Sequence, residues 1–384
     1  MLSGLAADFK EAGHGVTVLL DSRLAAFNPQ LATDHVVQIA SSGEADQNME
    51  QAVETADAAY VVAPEPNHVL QSIVECIEST GTLSLNCRAA GIEQASDKAV
   101  LGEQVERLGL SFPKTIAFDA NSSSEEISQT IRRELGVPII IKPAKGAGCS
   151  GISIAQNVGQ IAQAICKVKV ETGCATLTAQ ELINGIPVSV SLITTGTEAL
   201  PVSLNLQDIT VATPDEGSTY NGGLVPFEHS LRDKAFKAAK LLAESLSGLR
   251  GYIGIDFVLT QDKAFVMEVN PRLTTSYVGL RKTANFNVPQ AIIDSILKGE
   301  LPDNPQLKGY ACFSKFPISK GALLNWGQAS RLLAVVSPPF PLVEEESAFA
   351  LVQCIGNTSG EASQRVSEAK QLLLQLPLRK KKPW

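Results

Sequence analysis

A chain of 384 residues is long enough for two or three domains, and 44% hydrophobic with 19% charged residues is a folded composition without a disordered half. The net charge of -8 excludes the basic surface that nucleic-acid binding usually requires, so we expect no nucleic-acid partner. Seven cysteines without a Cys-x-x-Cys pair, and no apolar run of the roughly eighteen residues that span a membrane, favour a reduced, cytoplasmic protein without a membrane partner.

The N-terminal part, residues 1–95, alternates short apolar runs with helical patterns. Alternating strands and helices favour an α/β domain with a parallel, doubly wound sheet. Residues 2–10 have a helical pattern where such a domain ordinarily begins with a strand, so we expect its first strand to be missing. Strands are predicted over 16–20, 59–62 and 83–85, and a helix is predicted over 69–79.

Residues 96–300 are predicted to form an α+β domain in two parts, 96–178 and 179–300, followed by an α+β extension over 301–384. Ser96 precedes a helical pattern and is its predicted N-cap. Further strands are predicted over 115–118, 137–143 and 152–154, and helices over 124–135, 231–247, 288–297 and 361–376.

Turn signals predict an antiparallel sheet over residues 179–211. Asn184-Gly185 and Thr195-Gly196 break its apolar runs, and such pairs are typical of tight turns between antiparallel strands. We therefore expect these runs to pair with one another as hairpins.

The most specific chemical signal lies on a predicted hairpin whose turn centres on Asp262. In that register Asp256 lies opposite Glu268, about 5 Å away at Cβ, and Asn270 shares a face with Glu268. Two carboxylates and an amide oxygen crowded together repel one another unless a cation lies between them. Hard oxygen ligands select Mg²⁺ or Mn²⁺, and Mg²⁺ usually shares its coordination with substrate phosphates. The alternative is two unrelated acidic residues on a solvated face.

Arg272 follows this set at once and would place a guanidinium beside the cation. An arginine there suits an oxyanion or a phosphoryl group in transfer.

A glycine-rich loop follows the strand that ends near Lys142. Its glycines match G-x-G-x-x-G, but the next residues, 152–154, read as a strand instead of the helix of a dinucleotide site. A glycine loop between two strands is a flap whose backbone N–H groups can close over phosphates; a glycine-rich hairpin without a ligand is the alternative. Cys149 has no evident activating base and reads as a bystander. The flap residues are Lys145, Gly146, Gly148, Ser150 and Gly151.

Two further positions are nucleotide candidates. Lys142 ends an apolar strand and needs an anionic partner, such as a nucleotide phosphate, unless it reaches the surface. Glu181 would accept a hydrogen bond from the adenine amine, with the backbone of Leu182 and Ile183 on the ring edge. Alone, this segment is only a strand with a glutamate in it.

Together, and in this order, these motifs resemble the ATP-grasp superfamily from about Leu83 to Leu280. The resemblance implies that Lys98 and Lys142 bind ATP phosphates and that Glu181 and Ile183 bind the adenine. It places Ser189 or Ser191 near the ribose, although relatives often carry a charged or imidazole side chain at Ser189. It also implies a metal site of Asp256, Glu268 and Asn270, with Arg272 at an acyl phosphate.

A narrower likeness is to the tyramine–glutamate ligases of methanofuran biosynthesis. Segments 187–193, 201–207, 220–223 and 270–276 carry it. In that family, ATP phosphorylates the γ-carboxylate of glutamate, and the amine of tyramine then displaces phosphate. The substrate-side candidates that the likeness implies are Asn205, Asn221, Gly222, Thr274 and Thr275.

The sequence is therefore interpreted as an ATP- and Mg²⁺-dependent ligase whose partners are a small carboxylate and a small amine. Positioning and charge neutralisation suffice for phosphoryl transfer, so no protein nucleophile is required. A homodimer is the candidate assembly. Two alternatives stay open: another ATP-grasp ligase or carboxylase, such as a dipeptide ligase, and a nucleotide-binding protein without catalysis.

Overall fold

The computed structural model describes residues 1–25, 31–144, 151–319, 332, 334–339 and 347–375. Within these ranges, none of the helices combines the length and the apolar character that crossing a membrane requires.

The N-terminal part consists of helices and two short parallel sheets. Strand β1 pairs with β2 and strand β3 with β4, both in parallel, which confirms the parallel pairing predicted here. In the described residues they form two separate pairs instead of one sheet, since β3 and β4 are only two residues long. The elements are α1 Leu2–Glu11, β1 Thr17–Asp21, α2 Ser22–Ala25, β2 His35–Ile39, α3 Ser42–Glu54, β3 Ala58–Ala59, α4 Val69–Thr80, β4 Leu83–Ser84 and α5 Ala89–Ser96.

A four-stranded antiparallel sheet follows, in the order β5-β8-β6-β7. Isoleucines of its strands and of helices α7 and α8 form a separate apolar core. The elements are α6 Lys98–Arg107, β5 Thr115–Asp119, α7 Ser124–Glu134, β6 Ile139–Pro143, β7 Ser153–Ala155, α8 Ile161–Thr172 and β8 Thr176–Glu181.

Strand β8 corrects two details of the sequence interpretation. It belongs to this small sheet, so the division predicted between residues 178 and 179 falls inside a strand. Asn184-Gly185 is therefore not a hairpin turn but part of the link to the next sheet. Gly185 passes so close to β12 that a Cβ atom there would lie 2.3 Å from the carbonyl oxygen of Leu259, which only glycine avoids.

The N-cap predicted at Ser96 is wrong. The Ser96 hydroxyl donates to the carbonyl of Ile92 at 2.7 Å, within the last turn of α5, which is the competing local bond open to serine. Asp97 caps α6 instead, because its Oδ1 accepts from the backbone N–H of Val100 at 3.3 Å.

The third part is a seven-stranded antiparallel sheet in the order β13-β12-β9-β10-β11-β14-β15. The predicted hairpins at Thr195-Gly196 and around Asp262 are confirmed as β9–β10 and β12–β13. The extension supplies the last two strands and the helix expected near 361–376. The elements are β9 Ile186–Thr194, β10 Ala199–Thr210, β11 Thr219–Val225, α9 Arg232–Ser245, β12 Gly251–Leu259, β13 Ala264–Asn270, α10 Tyr277–Thr283, α11 Val288–Leu297, β14 Tyr310–Ser319, β15 Ser347–Gly356 and α12 Ser359–Gln375.

The two faces of this large sheet differ in chemistry. One face carries aliphatic side chains of β9 and β12, including Val188, Val190 and Ile255, which pack with α9 in the largest apolar cluster. Because side chains alternate along a strand, the intervening residues Ser189 and Asp256 lie on the opposite face. The candidate site thus lies on the face opposite α9, next to a second apolar cluster that includes Ile193 and Tyr252.

Helix α1 is fixed to helix α10 by a largely buried ion pair. Asp8 is 5% exposed and accepts hydrogen bonds from the guanidinium of Arg281 and the hydroxyl of Tyr277. Asn287 donates to the backbone carbonyl of Asp8 at 2.8 Å. These contacts join the first helix to α10, which begins directly after the candidate site.

Replacing Asp8 by asparagine should destabilise the protein, because the substitution leaves Arg281 buried without its counter-charge. Breaking such a pair costs about 3 kcal/mol in the free energy of unfolding. Urea denaturation of Asp8→Asn and of the wild type measures the effect. Asp34→Asn is the control, since it breaks the exposed pair of Lys10 and Asp34 and should shift the midpoint far less. Equal shifts for the two variants would contradict the structural role of Asp8.

Candidate active site

Asp256, Glu268 and Asn270 converge on adjacent strands. Asp256 is the register partner of Glu268, as predicted, and a β-bulge follows Asp256. The amide of Asn270 donates to Oδ2 of Asp256 at 3.2 Å, and the amide of Gln207 donates to Oδ1 at 3.1 Å. The three oxygen-bearing side chains therefore share one face of the sheet.

The two carboxylates destabilise each other. Burial, and then the charge of Glu268, raise the pKa of Asp256 well above its ordinary range. In the described part of the chain, no group of three or more His, Cys, Asp or Glu side chains could hold a metal ion. Two carboxylates and one amide are the set available, which suits an ion that completes its coordination with phosphates and water.

Two buried lysines face these carboxylates. Lys98 is 5% exposed, and its Nζ lies 3.7 Å from Oε2 of Glu268. Lys142 is 6% exposed, so its side chain does not extend to the protein surface. Its Nζ donates to Oε1 of Gln180 at 2.8 Å. The described partner of Lys142 is thus a neutral amide instead of the anion that its burial calls for.

The electrostatic environment of Lys142 reflects this mismatch. Burial, and next the positive charge of Lys98, lower the pKa of Lys142 from its ordinary 10.5 to about 7. The negative charges of Glu268 and Asp256 oppose the shift without cancelling it. Added phosphate charge would favour the ammonium form of Lys142.

Arg272 is held by three of its five N–H groups within the described structure. Its Nε donates to Oε2 of Glu65 at 2.8 Å, its Nη2 to Oδ1 of Asn270 at 3.3 Å, and its Nη1 to the carbonyl of Leu273 at 3.2 Å. Two donors, one on each terminal nitrogen, are left for an anion. Glu65 was missed by the sequence analysis, since the loop of Pro64 and Pro66 around it carries no motif.

A polar network beneath the site uses other predicted residues. Asn205 is fully buried; its Nδ2 donates to Ser189 at 3.2 Å and to Ser191 at 2.9 Å, and its Oδ1 accepts from Ser203 at 2.7 Å. These bonds occupy the side chain of Asn205 inside the protein, and its substrate contact stays a prediction. Ser189 lies beside Asp256 on the neighbouring strand, and its ribose contact stays a prediction.

The hydroxyl of Tyr252 joins this network to the loop after Arg272. It lies 2.8 Å from the Ser191 hydroxyl and 2.9 Å from that of Thr274. Thr274 is 8% exposed, and Thr275 next to it is half-buried. Their substrate contacts stay predictions.

The two substrate candidates on β11 have partners within the protein. Asn221 donates to Asp208 at 3.4 Å and Thr210 at 3.2 Å. A Cβ atom at Gly222 would lie 2.1 Å from the carbonyl oxygen of Phe313, so glycine is required there by the packing of β11 on β14. Their substrate contacts stay predictions.

The nucleotide candidates lie around the link between the two antiparallel sheets. Glu181 ends β8 with an exposed side chain, and Leu182 and Ile183 begin the link, so their adenine contacts stay predictions. The flap candidates Lys145, Gly146, Gly148 and Ser150 lie outside the described residues. Gly151 has a φ of +70°, and its N–H donates to Glu171 at 3.1 Å.

The chain is similar in sequence to known families and proteins. Residues 95–276 match the family model of the ATP-grasp domain, and residues 14–92 match that of the pre ATP-grasp 3 domain. The tyramine–L-glutamate ligase of Methanocaldococcus jannaschii is 27% identical over 287 residues, 74% of this chain and 76% of that protein. That of Methanocaldococcus fervens is 28% identical over 59% of this chain and 62% of its own length.

Among solved structures, the biotin carboxylase domain of the Hydrogenobacter thermophilus 2-oxoglutarate carboxylase is similar in fold. The TM-score is 0.72, with 14% sequence identity, over 95% of this chain and 86% of that one. At this identity the likeness concerns the fold alone.

The pKa of Lys142 predicts a pH-dependent stability in the absence of nucleotide. Between pH 7 and 10.5 the unfolded chain binds a proton at Lys142 that the folded chain does not, so stability rises with pH by up to about 1.4 kcal/mol per unit. Below pH 7 Lys142 is protonated in both the folded and the unfolded chain, so the cost of burying its charge no longer changes with pH. Lys142→Met removes this cost. The variant should therefore exceed the wild type in free energy of unfolding by more at pH 7 than at pH 9.5.

Urea midpoints of both proteins at the two pH values measure this difference. Lys114→Met is the control, because the side chain of Lys114 is 60% exposed. An advantage of Lys142→Met that is the same at both pH values would show that Lys142 is not held neutral by burial.

Proposed function

Because the chain belongs to the ATP-grasp proteins, we propose that it is an ATP- and Mg²⁺-dependent ligase that joins a carboxylate to an amine through an acyl phosphate. The observation that supports this most is that two buried lysines, Lys98 of α6 and Lys142 of β6, face the sheet surface on which Asp256, Glu268 and Asn270 lie together. Acidic and basic side chains crowded in this way suit a site that takes up both a divalent cation and a polyphosphate.

The donor set fits a magnesium ion. Asp256 and Glu268 supply carboxylate oxygens and Asn270 an amide oxygen, all hard ligands. Burial, and then the charge of Glu268, raise the pKa of Asp256, and a cation would offset both effects. Bound there with ATP, the ion would neutralise charge on the transferring phosphoryl group. Mn²⁺ has the same ligand preference and stays an alternative ion.

The proposed reaction has two steps. A carboxylate oxygen attacks the γ-phosphorus, the bond from that phosphorus to ADP breaks, and an acyl phosphate forms. The amine nitrogen then attacks the carbonyl carbon, the C–N bond forms, and the C–O bond to phosphate breaks. An ammonium substrate loses two protons overall; one is retained by the released hydrogen phosphate and one passes to solvent.

The basic residues of the chain have separate roles in this proposal. Lys98 and Lys142 hold phosphate oxygens, and the phosphates supply the anion that Lys142 lacks among the described residues. Arg272 directs its two remaining N–H groups at the acyl phosphate, where charge develops as each bond breaks. The work of the protein is positioning and neutralisation.

For the substrates, we propose glutamate and tyramine, the pair in the names of the Methanocaldococcus relatives, and thus a step of methanofuran-type cofactor biosynthesis. Their identity of 27–28% leaves room for another carboxylate and amine pair. We also propose a homodimer, which the dimer of the Hydrogenobacter domain supports.

A coupled ADP-release assay tests the substrate pair. The protein with ATP, Mg²⁺ and L-glutamate should release ADP slowly alone and much faster once tyramine is added, because the amine consumes the acyl phosphate. Mass spectrometry of the product should show the amide. Turnover with a different pair would reject glutamate and tyramine alone, whereas ATP binding without turnover on any pair would reject the ligase.

Glu268→Gln should lower kcat by about 100-fold or more, because an amide in place of this carboxylate weakens the hold on the cation at the transferring phosphoryl group. Nucleotide binding should persist, since Lys98 and Lys142 remain. ADP release and titration with ATP measure the two effects. Asp262→Asn, an exposed change on the turn of the same hairpin, is the control and should behave as the wild type. Full activity of Glu268→Gln would refute the metal role.

A further inference from the structure

A row of three hydrogen-bonded side chains crosses the small sheet and ends at Lys142. It consists of Thr115 on β5, Gln180 on β8 and Lys142 on β6, and β8 lies between the other two strands. Thr115 and Gln180 are register partners. The strand neighbours Ile141 and Ala179 belong to the isoleucine core, so the row lies on the opposite face of the sheet. Gln180 is 1% exposed, which makes the row part of the protein interior.

The direction of each hydrogen bond in the row is fixed from its far end. The hydroxyl of Thr115 lies 2.8 Å from the backbone carbonyl of Pro113, which can only accept, so the hydroxyl donates there. Its oxygen therefore accepts from Nε2 of Gln180, at 2.8 Å. The amide of Gln180 is thereby oriented with Oε1 towards Nζ of Lys142, also at 2.8 Å. The reversed amide would point N–H donors at the ammonium, which has no lone pair to accept them.

This contact holds Lys142 without cancelling its charge. An ammonium has three N–H groups, and Gln180 accepts one of them as a neutral amide. Lys98, Glu268 and Asp256 also act on the charge of Lys142. The two carboxylates are the predicted metal ligands, and a bound cation would take up their charge. The ammonium of Lys142 would then remain available for a phosphate.

A glutamate at position 180 would have nearly the same shape and the opposite effect. Its carboxylate would form a buried ion pair with Lys142 and add negative charge where we propose that the phosphates bind. Nucleotide binding would have to break this ion pair before Lys142 could contact a phosphate. The neutral side chain of Gln180 is therefore matched to an anionic ligand.

We propose that Gln180 is a positioning residue, which aims the ammonium of Lys142 at a nucleotide phosphate and, being neutral, keeps the charge of that ammonium for the phosphate. Thr115 supports this role because its hydroxyl fixes the orientation of the amide. The inference rests on the proposed ligase function and deepens it. It adds to the nucleotide site two residues that act through Lys142.

Two measurements on the full-length protein test this role: equilibrium titration with Mg²⁺–ATP, and the urea midpoint in the absence of nucleotide. The variants are Gln180→Glu, Thr115→Val and Thr115→Ser. Gln163→Glu, the same change at an exposed position of α8, is the matched control. It should equal the wild type in both measurements.

Gln180→Glu should raise the Kd for Mg²⁺–ATP about tenfold, because binding has to break the new ion pair with Lys142. Its urea midpoint should be no lower than that of the wild type, since the carboxylate supplies the anion that Lys142 lacks among the described residues. A change that merely damaged the site would lower both the affinity for ATP and the midpoint.

A pair of variants tests the hydroxyl of Thr115. Thr115→Val removes the hydroxyl at nearly constant volume and leaves the amide of Gln180 free to turn, so the Kd for Mg²⁺–ATP should rise about fivefold. Thr115→Ser keeps the hydroxyl, and its Kd should stay within about twofold of the wild-type value.

The possible failures are distinguishable. An unchanged Kd for Gln180→Glu, or a higher Kd accompanied by a lower urea midpoint, would overturn the role of Gln180 and leave the ligase proposal standing. Equal Kd values for Thr115→Val and Thr115→Ser would overturn the supporting role of Thr115. A wild-type protein that does not bind Mg²⁺–ATP would contradict the proposed ligase function itself.

Discussion

The structure depends on one electrostatic constraint: two carboxylates, Asp256 and Glu268, face each other across adjacent strands in a largely buried place. Burial, and then the repulsion by Glu268, raise the pKa of Asp256, and the nearby Lys98 compensates only part of the negative charge. Lys142 has the complementary difficulty, since burial and Lys98 push it towards its neutral form. In the ligase that we propose, a divalent cation and a phosphate chain would stabilise both groups together, because each ion would supply the charge that one set of residues lacks.

The sheet beneath the site makes this arrangement rigid. Four buried polar residues of β9 and β10 lie on the site face: Ser189, Ser191, Ser203 and Asn205. Buried polar groups must bond to one another, and these form a connected network that reaches Tyr252 and Thr274. The aliphatic residues between them pack with α9 on the other face. Alternation along the strands thus anchors the site on one side while leaving polar groups on the other.

The sequence was informative where the geometry is local. The register of Asp256 with Glu268 follows from a short turn and strict alternation, so counting residues was enough to predict it. The sheet to which β8 belongs could not be predicted by counting residues. Asn184-Gly185 has the composition of a hairpin turn, but β8 pairs with β5 and β6, which are distant in the sequence. Serine and aspartate are equally suitable N-caps by residue type. Because the Ser96 hydroxyl bonds within the last turn of α5, Asp97 caps α6.

Glu65 is the most consequential residue that local reasoning could not reach, since it lies 207 residues from its partner Arg272. A second long-range ion pair, between Asp8 and Arg281, joins the N-terminal part to the same short stretch of chain. The loop and helix after β13 are therefore held by the N-terminal part at two points. The hydrogen bond from Nε of Arg272 to Glu65 fixes the orientation of the guanidinium. It thereby sets the direction of the two N–H groups on the terminal nitrogens that have no described partner. The position of the N-terminal part would consequently determine where the anion that we propose for Arg272 binds, although none of the predicted metal or phosphate residues lies in it.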